Sequence, residues 1–224
     1  MGRRLAAPEE IHTLLPATEG HALRGRSQPR VQADAIEACL DRVAPLYRAS
    51  LATRREHGFL AYAPRAAEGY VLEKDAVGTR DAIAWHWAHP DATVAFSFHT
   101  HPSPRAAVAP SGIDAVGALI RGDHLVYVLT MDGRLAGWRF RDDTPHARAV
   151  EDAVRALDDA KRFEGRYVRF LYDAFDALRP RVMEPVYAAR LTLTRDDGMR
   201  LERAQPGRPF LTPWEEHGDG PAQR

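Results

Sequence analysis

Cysteine is nearly missing from these 224 residues, with Cys39 the single example. An intrachain disulfide is therefore impossible, and zinc sites built on several thiolates are excluded. Lysine is almost as scarce: Lys74 and Lys161 stand against 29 arginines, a compositional bias that points to no activity. Net charge is absent as well, since 31 basic residues balance 31 acidic ones. No global field then draws the chain to nucleic acid or to an anionic membrane. No apolar run approaches the roughly 18 residues that a membrane-spanning helix needs. Met1-Gly2-Arg3-Arg4 leads into Pro8, Glu9 and Glu10 instead of the apolar core of a signal peptide. Ala6 stands where N-myristoylation requires Ser or Thr. Together these absences predict a cytoplasmic protein in a reducing compartment, with neither membrane nor nucleic acid as partner.

Hydrophobic residues make up 45% and charged residues 28%, the balance of a folded globular chain, which excludes disorder throughout. Residues 1–32 are broken by Pro8, Pro16, Gly20, Gly25 and Pro29 and read as a loose lead-in. Ile36, Leu40, Val43, Tyr47 and Leu51 recur at three and four over residues 33–54, a helical pattern that Pro45 should kink or split. Short strands are predicted over 58–63 and 69–73, and a helix over 79–88, where Ile83 and Trp87 lie four apart. The clearest strand is 93–98, with Val94, Phe96 and Phe98 alternating with small residues. A short helix over 112–121 carries Ile113, Val116 and Ile120 on one face. Residues 125–130 and 134–140 form a hairpin about Asp132-Gly133, a strong two-residue turn signal. A long helix is predicted over 147–178, ended by Arg179-Pro180, and a second hairpin over 187–203 about Asp197-Gly198. The order of elements predicts an α/β sandwich with a mixed sheet over a core of 33–145. A helical and hairpin extension over 146–204 and a flexible tail over 205–224 follow.

Chemistry concentrates in His99-Thr100-His101-Pro102-Ser103-Pro104 and the following Pro110-Ser111-Gly112-Ile113-Asp114. Strand periodicity puts His99 and His101 on one side, opposite Val94, Phe96 and Phe98, so both imidazoles can converge on one metal. The prolines turn the chain so that a helix starts near the same spot, with Asp114 in its first turn. Two His and one carboxylate, with water in the fourth position, make a catalytic zinc set. A zinc-bound water needs a base, and Glu56, opening Glu56-His57-Gly58-Phe59-Leu60, is the best placed; Glu68 and Glu73 are its rivals. Ser111-x-x-Asp114 also reads as a capping box. His57, His86, His89 and His124 read as packing or surface residues, and Cys39 as a small buried apolar group.

The pattern Glu … His-Thr-His-Pro … Ser-x-x-Asp resembles the JAMM (MPN, or JAB) metallopeptidases over about residues 33–142. The resemblance implies a cytidine-deaminase-like α-β sandwich with a mixed central sheet, to which the long C-terminal helix is an extension. It implies zinc on His99, His101 and Asp114, Glu56 as general base and acid, and Ser111 as donor to the oxyanion. It further implies an isopeptidase or peptidase that cuts after the C-terminal Gly-Gly of a ubiquitin-like protein or its conjugates. Activating and conjugating enzymes of such a pathway, including those of antiviral defence, are then the expected associates. Other readings are a non-catalytic MPN-type scaffold and a zinc hydrolase of another amide. One departure is the nine residues Pro102–Pro110 between His101 and Ser111, where the family usually has seven; a loop absorbs two residues at small entropic cost.

Overall fold

Apolar residues at helical spacing build the first layer. A 3-10 turn, Ala35–Cys39, passes into helix α1, Leu40–Thr53, and together they bury Ile36, Cys39, Val43, Leu46 and Tyr47. The computed structural model describes residues 31–63, 69–80, 82–85, 94–103, 106–141, 179–180, 182–194 and 198–204. Pro45 lies inside α1, and the division falls earlier, at Leu40. Pro45 and Asp41 share the exposed side of the helix, so the carbonyl that Pro45 cannot serve meets solvent and the helix continues. Arg54, at φ 55°, takes the left-handed conformation that stops α1.

The second layer is one eight-stranded sheet: β1 His57–Tyr62, β2 Val71–Leu72, β3 Ala76–Val77, β4 Val94–His101, β5 Leu125–Thr130, β6 Arg134–Phe140, β7 Met183–Leu193 and β8 Met199–Arg203. Its order is β2-β1-β4-β5-β6-β7-β8, with β3 also paired to β1. The β4–β5 pair is parallel and the other pairs are antiparallel, so the sheet is mixed. Parallel neighbours need a crossover, and helix α2, Gly112–Arg121, supplies it. The fold is thus α/β, with a helix on each face of the sheet.

Against α1 lie Phe59, Phe96, Phe98, Tyr127, Leu129, Leu135 and Leu191, all buried. Phe59 meets Phe98 at 5.3 Å between ring centroids, and Phe96 meets Tyr127 edge-to-face at 5.2 Å. Each such ring contributes about 1.5–3 kcal/mol by leaving water. On the other face Ala115 and Ala118 of α2 pack on Val126, Val128, Val182 and Met183. The side chains of Ile113, Val116 and Ile120 lie outside the described residues.

Several expectations need correction. Residues 79, 80 and 82–85 are not helical. Thr79 is paired otherwise: its carbonyl accepts from Glu56 N–H at 2.7 Å, and its N–H donates to Ala82 O at 2.8 Å. The stretch therefore begins beside the residue that leads into β1. Residues 86–88 lie outside the described residues. The second strand is shortened to Val71–Leu72, and β3 was not foreseen. Val94 does not share a face with Phe96. The register between β1 and β4 shifts at Ala61/Tyr62, with Tyr62 opposite Val94 and Ala61 opposite Phe96. That bulge sends Val94 to the histidine face, where it packs with Leu60, Tyr62 and Trp85.

The β5–β6 hairpin forms, but its loop is three residues, Met131-Asp132-Gly133, with Gly133 at φ 83°. The helix predicted over 147–178 lies outside the described residues. Its expected end at Arg179-Pro180 is corrected, because Val182 is helical too and is buried beside Met183. The second hairpin is present as β7 and β8, closed by Thr194 N–H to Gly198 O at 3.0 Å. No helix among the described residues is long and apolar enough to cross a membrane.

Candidate metal centre

The site forms where β4 ends and α2 begins. Phe98 and Thr100 turn toward α1, so His99 and His101 turn to the opposite face. Thr100 fastens the strand between them: its Oγ1 accepts from His57 N–H at 3.0 Å and donates to His57 O at 3.3 Å. Gly58 lies opposite His99, and the backbone approach there leaves no room for a side chain. A Cβ at Gly58 would stand 2.2 Å from Phe98 O and 2.8 Å from the Trp85 ring. Glycine at this position lets β1 and Trp85 close on the histidine.

Asp114 reaches the same point from the first turn of α2. His99 Nε2 and His101 Nε2 are 3.1 Å apart, and Asp114 Oδ2 lies 3.2 Å from the first and 3.7 Å from the second. A tetrahedral zinc with ligand bonds near 2.05 Å has ligand–ligand edges of about 3.3 Å, and the three separations bracket that value. Among the described residues this is the group of histidines and carboxylates that could hold a metal ion. Burial pushes the Asp114 carboxyl upward, but His99 and His101 outweigh it and hold it well below the usual carboxylate range. The candidate ligand oxygen is thereby kept ionised.

An outer contact orients His101. His101 Nδ1 lies 2.8 Å from the Ala107 carbonyl. An N–H there fixes the tautomer whose Nε2 lone pair faces the cluster. The carbonyl comes from the Pro102–Pro110 loop, whose length departs from the spacing that the resemblance implies. It is anchored by Trp138 Nε1–H to Val108 O at 3.1 Å and by Arg179 to Pro110 O at 2.9 Å. The spacing that departs from the expected pattern thus brings an acceptor to a candidate ligand.

Ser111 caps α2. Its N–H and Oγ donate to Asp114 Oδ2 at 2.8 and 2.7 Å, and Asp114 N–H donates back to Ser111 Oγ at 3.2 Å. This is a capping box whose carboxylate is also a candidate ligand. Ser111→Ala should therefore lower stability by about 1 kcal/mol, a drop of roughly 2–4 °C in Tm at this chain length. A thermal melt checks it.

Glu56 is 5% exposed. Its backbone is held at Thr79 and Gly78, and Ser50 Oγ donates to the neighbouring Arg55 carbonyl at 2.9 Å. His57 turns toward α1, where its Nε2 lies 3.0 Å from Thr53 Oγ1. Alternation back through Leu60 and Gly58 puts Glu56 on the histidine face. The rival Glu73 lies at the sheet edge, where its Oε2 accepts from Tyr62 at 3.5 Å and its Oε1 from Lys74 N–H at 3.1 Å. Glu68, His86 and His89 lie outside the described residues. Cys39 is buried, and burial pushes its thiol up to about 11, the state of an inert apolar group.

The sequence reading passed over the surroundings of His99. Trp85 stands edge-to-face to it at 6.2 Å, and Arg121 lies over the Trp85 ring at 5.4 Å. Asp123 accepts from Arg121 Nε at 3.1 Å and Nη2 at 2.7 Å. Gly122 after α2 is the signal that could have found this pair. At φ 71° it turns the chain so that Asp123 N–H reaches Ala118 O at 2.9 Å. Compared with known proteins, the sequence matches no family model and no curated protein.

Proposed function

We propose that this chain is a zinc-dependent isopeptidase or peptidase of the JAMM/MPN type, cleaving after the C-terminal Gly-Gly of a ubiquitin-like protein. The observation that carries the reading is the convergence of His99 Nε2, His101 Nε2 and Asp114 Oδ2 at separations of 3.1–3.7 Å. The buried Glu56 beside β1 and the mixed sheet with a helix on each face support it. His99, His101 and Asp114 would hold the zinc. When bound, zinc supplies a water acidified toward neutral pH and a Lewis acid for the scissile carbonyl. Glu56 takes the proton of the attacking water on its carboxylate and delivers it to the departing amine. Asp114 stays anionic and orients the site, with the Ser111 backbone N–H holding its Oδ2. The Ser111 hydroxyl, free to turn from Asp114 when a metal holds that carboxylate, donates to the developing oxyanion, a role worth about 10²–10³ in kcat. The first turn of α2 favours negative charge at the same place.

The substrate side follows from access. Trp85 and the Gly58 backbone close one side of His99, so a tail without side chains enters where bulkier residues clash. A folded partner adds contacts that offset the ordering entropy of the tail. The test is a matched pair of fusions, a ubiquitin-like protein ending in Gly-Gly and the same protein ending in Gly-Leu, incubated with zinc-reconstituted protein. Cleavage of the first and at least about 10²-fold slower cleavage of the second is the expected result, a clash at a rigid wall costing a few kcal/mol. Equal cleavage of both, or rapid digestion of casein, would make this a broad peptidase.

A further inference from the structure

The His101 ring has a carbonyl to orient it, but His99 does not. His99 is 1% exposed, and its Nδ1 is buried without a hydrogen-bond partner among the described residues. Metal-bound imidazoles ordinarily donate their second N–H to an acceptor that fixes the ring. A different device must hold this one, and the side chains around it form a continuous line. Trp85 stands edge-to-face to the His99 ring, interplanar angle 78°. The Arg121 guanidinium covers Trp85, within the range of a cation–π contact. Asp123 holds that guanidinium by two hydrogen bonds and is itself fully buried. Asp123 also takes a hydrogen bond from Ser97, two residues ahead of His99 on the same face of β4.

Two elements that carry candidate ligands meet in this line. Arg121 is the last residue of the helix whose first turn bears Asp114, and Ser97 belongs to the strand that bears both histidines. The helix is therefore fixed to the strand at both ends, by Asp114 against His99 and His101 at the metal centre and by Arg121 through Asp123 to Ser97 at the other. Buried charge is costly unless paired and hydrogen-bonded, and a pair this complete ties its two anchors to one geometry.

We propose that Trp85, clamped by the Arg121–Asp123 pair, is the positioning residue for His99 and sets the affinity and geometry of the metal centre. This rests on the metal-centre reading above. The experiment compares full-length wild type, Trp85→Ala, Trp85→Phe and Arg121→Met for zinc affinity by chelator competition. The Co²⁺-substituted proteins are compared by visible absorption. Trp85→Ala should lose about 10–100-fold in zinc affinity, the usual worth of an outer partner, and shift the Co²⁺ bands. Trp85→Phe, which keeps an aromatic face, should recover most of the affinity. Arg121→Met, which keeps an apolar stem beneath the indole but no cation, should fall between wild type and Trp85→Ala. A lower melting temperature in these variants with unchanged zinc affinity and Co²⁺ spectrum would overturn the proposal and leave the metal centre standing. A wild type that binds neither ion would overturn both. If Trp85→Ala fails to fold, Arg121→Met decides alone, and wild-type affinity in it would overturn the clamp.

Discussion

Glu56→Gln should leave the metal in place and lower turnover by roughly 10²–10⁴-fold, the worth of a positioned acid/base. The substitution keeps size and shape, so the backbone bonds of Glu56 to Thr79 and Gly78 survive it. What is lost is the ability to take a proton from water and give it to an amine. No other carboxylate with Glu56's combination of burial and sheet face lies among the described residues near β1. Glu73, half-buried at the sheet edge and bonded to Tyr62 and its own neighbour, serves as the comparison. Glu73→Gln should keep turnover within about threefold, the effect of a surface change of under 1 kcal/mol. The check is steady-state cleavage of the Gly-Gly fusion beside elemental analysis of each variant. A fully active Glu56→Gln with an inactive Glu73→Gln would move the base to the sheet edge.

Much of the candidate site was legible because its signals are local. His99 and His101 share a face for the reason any i, i+2 pair in a strand does, and Ser111-x-x-Asp114 is a helix start whether or not it binds metal. The loop between them was readable only as an insertion; its use, a carbonyl for His101 Nδ1, depends on where Ala107 comes to rest. Val94 was misassigned because a bulge changes the parity of a strand without marking the sequence. Residues 79–88 carry a helical spacing in Ile83 and Trp87, but Thr79 gives its carbonyl to Glu56 N–H and its N–H to Ala82 O, and such pairing overrides a weak local preference in the described part of the stretch. That same displacement brought Trp85 to His99. The clamp of Trp85, Arg121 and Asp123 joins residues up to 38 positions apart, so no spacing rule announces it.

Asp114 offers the sharpest separation between a helix cap and a ligand. Asp114→Ala removes one of the three convergent atoms and leaves His99 Nε2 and His101 Nε2 facing each other at 3.1 Å. Two imidazoles alone cannot complete a catalytic zinc set. Zinc affinity should fall on the order of 10²-fold or more, beyond the 10–100-fold that loss of an outer partner costs, and turnover should drop to background. The same variant breaks the capping box, so it should also melt lower by the amount expected of Ser111→Ala, about 1 kcal/mol. Ser111→Ala is therefore the control that removes the cap and spares the ligand: it should melt lower yet retain one zinc per chain. Asp114→Asn completes the series, because its amide oxygen can still cap the helix while the negative charge is gone. It should melt near wild type and bind zinc weakly. Zinc stoichiometry after reconstitution, read beside the melting curves, separates the two roles. A full equivalent of zinc in Asp114→Ala would remove Asp114 from the ligand set and leave it only the cap.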